Sequence, residues 1–181
     1  CRECEAIRMD DKKMEIMISM NYKNSNDLVS DVKGIIEAAQ TMVNRQINST
    51  LTKRNWLIGY RISEEITKDL DRKDVYGKQT MKNLAADLRG VYKENFDVSN
   101  LYKFKQFYEM YSDILDTASL KSFEKLTWSH YRVLLQVKDD KARSWYEKEA
   151  AEQTWSVKTL QRNISSQYYY RMLSSQNPSV V

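Results

Sequence analysis

Proline is missing from the first 177 residues of this chain, and glycine occurs only four times in all 181. Strand-rich chains need both residues at their turns, to fix φ or to reach positive φ. A chain this poor in them must instead join long runs of regular backbone through short polar breaks. Lys, Glu, Leu and Met fill those runs, and they lose little rotamer freedom in a helix. The expected fold class is therefore all-α, with room for one helical domain with a full core or two small helical subdomains.

The sharpest pattern lies between Lys78 and Tyr111. Met81, Leu84, Ala85 and Leu88 fall on one helical face. After the breaker Glu94-Asn95-Phe96-Asp97 the pattern resumes with Leu101, Phe104, Tyr108 and Tyr111. Two helices with so short a connection pack at a steep angle, which predicts a helix-turn-helix-like pair at about 78–111. If the second helix projects outward, it offers Ser99, Asn100, Lys103 and Gln106 to a groove of duplex DNA. Asn and Gln read adenine edges, and Lys reaches guanine or phosphate. Ser99, Lys103 and Gln106 share a face at spacings of four and three. Lys78 and Lys82, at the start of the preceding helix, are candidate phosphate contacts. The competing reading of these residues is the solvated face of a packed helix.

Upstream, residues 1–26 read as a flexible leader, in which Met14, Met17 and Met20 allow at most a short helix. Asp27 then caps a long apolar phase: Leu28, Val32, Ile35, Ile36, Ala39, Met42, Val43 and Ile47. The same phase continues through Leu51, Trp56, Ile58, Ile62, Ile66 and Leu70. One long helix over 27–70, or two end to end with a break at Asn48-Ser49-Thr50, satisfies it. The charge run Lys68–Asp74 reads as a solvated turn.

Downstream, one device recurs three times: an apolar residue before a cap and another five positions on, able to fold back as a staple. Phe96, Asp97 and Leu101 form one such set, Leu126, Thr127 and Tyr131 a second, and Trp155, Ser156 and Leu160 a third. They predict helix starts near 97, 127 and 156, with a further helix capped at Asp139 or Asp140. The last helix carries Val157, Leu160, Ile164 and Tyr168, and the helical domain spans 27–174 with a frayed tail at 175–181. His130, the only histidine, falls three residues after the Thr127 cap and reads as a partner of that cap or of a neighbouring helix. Trp128, Trp145 and Trp155 read as core or seam anchors. Tyr168-Tyr169-Tyr170 must expose at least one ring, as a surface where another domain or a second copy docks.

The formal net charge is +4, with +3 in residues 51–110, where the helix pair lies. That excess is small, so affinity for nucleic acid drawn from charge alone is weak and steeply salt-dependent. No apolar run is long enough to span a membrane, and the charged start lacks the apolar core of a secretory signal. Cys1 and Cys4 with His130 do not make up a four-ligand zinc site. The expectation is a cytoplasmic protein whose segment holds no cofactor.

Six blocks then occur in order. They are Trp56-Leu57-Ile58-Gly59-Tyr60-Arg61-Ile62; Tyr76-Gly77-Lys78 with Leu84-Ala85-Ala86-Asp87-Leu88; and Asn100-Leu101 with Phe107-Tyr108. The others are Leu126 to Tyr131, Arg143 to Ala150, and Trp155-Ser156-Val157 with Leu160-Gln161-Arg162. Over residues 28–172 this run resembles the N-terminal domain, long catalogued as a domain of unknown function, of the YhcG-type PDDEXK nuclease family. The resemblance implies a helical DNA-binding module, bearing a helix-turn-helix, that precedes a Mg²⁺-dependent restriction-endonuclease-like domain in a bacterial protein. Val98 and Ser99 stand where family members commonly carry basic residues. The PDDEXK carboxylates themselves are not here: Glu64-Glu65 before Lys68 lies in a helical stretch and reads as a helix face. The segment is therefore expected to bind double-stranded DNA for a C-terminal nuclease domain outside it. The alternative is a helical scaffold that docks a partner or pairs with its own copy through the 27–70 helix.

Overall fold

The structure is a computed structural model, and it describes residues 14–20, 22, 25–67, 73–92, 96–112 and 122–176. Seven helices of seven residues or more lie among them: α1 (Leu28–Thr67), α2 (Lys73–Tyr92), α3 (Val98–Met110), α4 (Trp128–Leu134), α5 (Asp140–Glu152), α6 (Val157–Ser165) and α7 (Tyr168–Gln176). Single turns of helix stand at 14–19 and 122–125, and no strand occurs among the described residues. The all-α expectation holds. The Cys1–Cys4 pair, the breaker residues Glu94 and Asn95, the charge run from Lys68 to Arg72 and the tail after Gln176 lie outside the described residues.

Backbone contacts divide the chain into two compact units, Cys1–Ile47 and Asn48–Val181. The division falls inside α1, and no residue of α1 before Ser49 is buried. The helix itself is continuous over 40 residues. Asn48-Ser49-Thr50 does not break it, and Thr52 places its hydroxyl on the Asn48 carbonyl at 2.9 Å within the same helix.

Within the second unit the buried face of α1 is Ser49, Thr52, Asn55, Gly59 and Ile62. Sequence periodicity assigned that role to Leu51, Trp56, Ile58, Ile62 and Ile66. Leu51 is exposed instead, while Trp56, Ile58 and Ile66 are half-buried. The reason is close approach. A Cβ on Gly59 would stand 1.9 Å from the Phe104 carbonyl oxygen, so no side chain fits at that point where α1 meets α3.

Two apolar clusters follow. One joins Ile62 of α1, Met81 and Ala85 of α2, and Leu101 and Phe104 of α3. The other gathers Phe107, Tyr111, Phe123, Leu126, Tyr131 and Leu134 with Ala142, Tyr146 and Leu160. Trp128 packs against both. Phe107 corrects the expected α3 stripe: it is fully buried, its ring centroid 4.8 Å from that of Tyr131. Tyr108 is half-buried and meets Trp56 and Tyr60 edge-on at 5.2 and 5.3 Å. With clusters on two sides, α3 buries more than one stripe. Trp56 fastens the same junction by donating its indole N–H to the Tyr111 carbonyl at 3.0 Å.

The three expected caps are present. Asp97 accepts the Asn100 amide at 2.9 Å, and Ser156 accepts that of Thr159 at 3.1 Å. Thr127 opens α4 through a capping box closed by His130. Asp139, one of the two candidates, caps α5 by accepting the Lys141 amide at 2.9 Å. One expectation fails. The helix begun at Ser156 does not run on to Tyr168, because Gln167 adopts φ 53° and α7 starts afresh after it. The Tyr146 hydroxyl bridges this break, donating to the Asn163 carbonyl at 3.2 Å and accepting the Tyr169 amide at 3.0 Å.

Candidate nucleic-acid interface

Helices α2 and α3 pack against each other, with five residues between Tyr92 and Val98. The inward side of α2 is Met81 and Ala85, flanked by half-buried Leu84 and Leu88. That geometry turns Lys78 and Lys82 to solvent, and Arg89, seven residues after Lys82, shares their side. On α3, burial of Leu101, Phe104 and Phe107 leaves Ser99, Tyr102 and Gln106 exposed and Lys103 half-buried. Lys103 has no ion-pair partner among the described residues, whereas Lys105 is paired with Glu109 on the same helix.

Two of the sequence-derived candidates have structural work. The Asn100 side-chain amide donates to the second Asp97 oxygen at 2.8 Å while its backbone amide bonds the first, so the side chain belongs to the cap. Gln106 donates to the Leu135 carbonyl at 3.3 Å. Its carbonyl oxygen stays available as an acceptor.

Arg54 was not found from sequence. It lies on α1, two residues before Trp56, yet its guanidinium stands 5.5 Å over the ring of Phe96, the residue before the α3 cap. Nε and Nη2 both donate to the side-chain Oδ1 of Asn55, at 3.1 and 2.9 Å. Asn55 is fully buried, so this arginine is held on a fixed base with its remaining donors outward. It brings a basic group to the entrance of α3, where Val98 and Ser99 supply none. Periodicity carries no sign of it, because the contact spans 42 positions of sequence.

His130 is a structural residue, as its spacing predicted. Nε2 lies 2.9 Å from the Trp155 carbonyl, which can only accept, so Nε2 carries the proton. Nδ1 then receives the Thr127 hydroxyl at 2.8 Å and the Thr127 amide at 3.2 Å. Burial holds its pKa below the usual histidine value, opposed in part by the bond to Trp155. Glu147 is equally internal: Tyr131 donates to it at 3.2 Å, and burial pushes its carboxyl up.

The Glu64-Glu65 pair lies on α1, with Glu65 bonded to Arg61 at 2.8 Å, as a helix face. Among the described residues no three His, Cys, Asp or Glu side chains come together as a metal-holding group. No helix among them is long and apolar enough to cross a membrane.

The DUF1016 N-terminal domain family matches residues 31–171. A protein of Escherichia coli (strain K12) carrying the name "Putative nuclease YhcG" is 32% identical over 175 residues, an alignment covering 81% of this chain and 46% of that protein. The chain thus spans less than half the length of that relative. No solved structure matches the chain.

Proposed function

Since this chain belongs to the DUF1016 N-terminal domain family, we propose that its α2–α3 pair holds duplex DNA for a nuclease domain in the same bacterial, cytoplasmic protein. In this reading α3 enters the major groove and presents Ser99, Lys103 and the free carbonyl of Gln106. Lys78, Lys82 and Arg89 on α2, with Arg54 from α1, lie along the phosphates and fix the register. Hydrolysis belongs to the further domain and its Mg²⁺, so this segment contributes placement. The observation that carries the reading is the split character of α3. Its apolar side is committed to two clusters, and its polar side keeps Ser99 and Gln106 exposed and a lysine, Lys103, with no ion-pair partner among the described residues.

A second reading, a partner-docking scaffold, draws on the modest charge of +4 and on the engagement of Asn100 and Gln106 within the fold. Binding of the chain to a short random duplex, followed by fluorescence anisotropy across a salt series, separates the two. DNA recognition gives a steep loss of affinity with salt. Arg54→Ala and Lys82→Ala should each reduce the slope of log K against log salt by about one, the release from one phosphate. No binding at low salt removes the DNA reading and leaves the scaffold.

A further inference from the structure

The first five turns of α1 carry an exposed apolar row. Leu28, Val29, Val32, Ile36, Val43 and Ile47 are each between 45 and 76% exposed. From Val29 the row runs through Val32, Ile36 and Ala39 to Val43 at spacings of three and four, the repeat of a two-helix seam. The described residues that precede the helix do not cover it. Met20, Tyr22 and Ser25 lie against Ser30, Asp31, Gly34 and Ala38, about half a turn round the helix. Asp31 is fixed there by the Ser25 amide, 3.0 Å from Oδ1. Of the charged residues of this stretch, Asp31 and Arg45 fall on the far side of the helix and Lys33 and Glu37 on one flank of the row, so no charge stands within it.

We propose that residues 28–47 of α1 pair with the same segment of a second copy of this chain. The area fits that occupant. With about 150–180 Å² for a fully exposed Val, Leu or Ile, the six residues leave on the order of 500 Å² of apolar surface per copy, in the upper part of the range of about 300–600 Å² for a monomer's largest patch. Two copies bring roughly 1,000 Å² before any flanking side chain is counted, the lower bound of a specific interface. The row is also self-complementary, and a helix this long gains most of its stability from packing on a partner.

Sedimentation equilibrium of the full chain, from about 1 to about 100 µM, tests the pairing directly. The wild type should reach twice the 21.5 kDa chain mass. Ile36→Glu with Val43→Glu should hold the mass at one copy, and Arg45→Glu on the opposite side should leave the dimer intact. A chain carrying Ile36→Lys with Val43→Lys should also be monomeric alone and should restore the double mass when mixed with the glutamate variant. A misfolded variant would not be rescued in that way. A monomeric wild type throughout the range, a dimer that survives the glutamates, or a mixture that stays monomeric overturns the proposal. No DNA enters the measurement, so its outcome is independent of the nucleic-acid reading.

Discussion

Gly59 and Gly90 are both helical glycines, and the space around them separates their roles. At Gly59 a Cβ would meet the Phe104 carbonyl oxygen at 1.9 Å and its carbonyl carbon at 2.6 Å, backbone atoms that cannot swing aside. At Gly90 nothing lies within 4 Å of the same position. Alanine gains about 1 kcal/mol over glycine in a helix interior, whereas forcing one extra carbon into a tight contact costs about 3 kcal/mol. Gly59→Ala should therefore lower stability by about 2 kcal/mol net. Gly90→Ala should raise it by up to about 1 kcal/mol, the propensity term alone. Urea unfolding of the two variants checks this, with midpoints moving in opposite directions. Equal shifts would mean that α1 and α3 do not approach as closely as Gly59 requires.

At the scale of the element, the helix starts were legible and the helix faces only partly so. A cap is a local matter of one side chain and the next three amides, so Asp97, Thr127 and Ser156 could be read directly, and the α5 cap narrowed to Asp139 or Asp140. The buried face of α1 could not, because Ser49, Thr52 and Asn55 are polar and Gly59 has no side chain, so an apolar period passes over them. Phe107 escaped for a related reason: a helix between two clusters buries a wider arc than one periodic stripe. The break before α7 left no mark, since Gln167 takes the left-handed conformation without a glycine to announce it.

The α4 cap also predicts a pH response. Burial depresses the His130 pKa below 6.5 in the folded protein, so the unfolded chain takes up that proton first as pH falls. The neutral ring's contribution is complete above about pH 6.5 and drains away as pH falls through that value toward the depressed one. The urea midpoint should fall between about pH 7.5 and about pH 5.5 for this reason. His130→Gln can still accept the Thr127 amide as the third residue of a capping box but has no proton to gain. It should show a smaller fall over the same interval. Parallel falls would place the acid sensitivity elsewhere, with the carboxylates.

For the whole molecule, periodicity gives the same signal for an apolar stripe in a core and one at an interface. The phase from Leu28 to Ile47 reads in sequence as continuous with that around Ile62, yet its large side chains are mostly exposed while Ile62 is buried. Likewise Arg54 could not be joined to α3 until α1 was laid beside Phe96. Burial therefore divides the labour along a single helix. No member of either apolar cluster precedes Trp56, and no described residue before Ser49 is buried. A chain shortened to Asn48–Val181 should accordingly keep its cooperative unfolding, with Tm within about 3 °C of the intact chain, less than about 1 kcal/mol at this size. The shortened chain also lacks the proposed pairing row. It should sediment as a monomer while keeping the binding and salt slope that the α2–α3 pair confers on a single short duplex. Calorimetry and anisotropy on the same preparation decide between the alternatives. A large drop in Tm would mean that residues before Asn48 stabilise the core. An unchanged Tm with lost DNA binding would move the contact surface into the first unit.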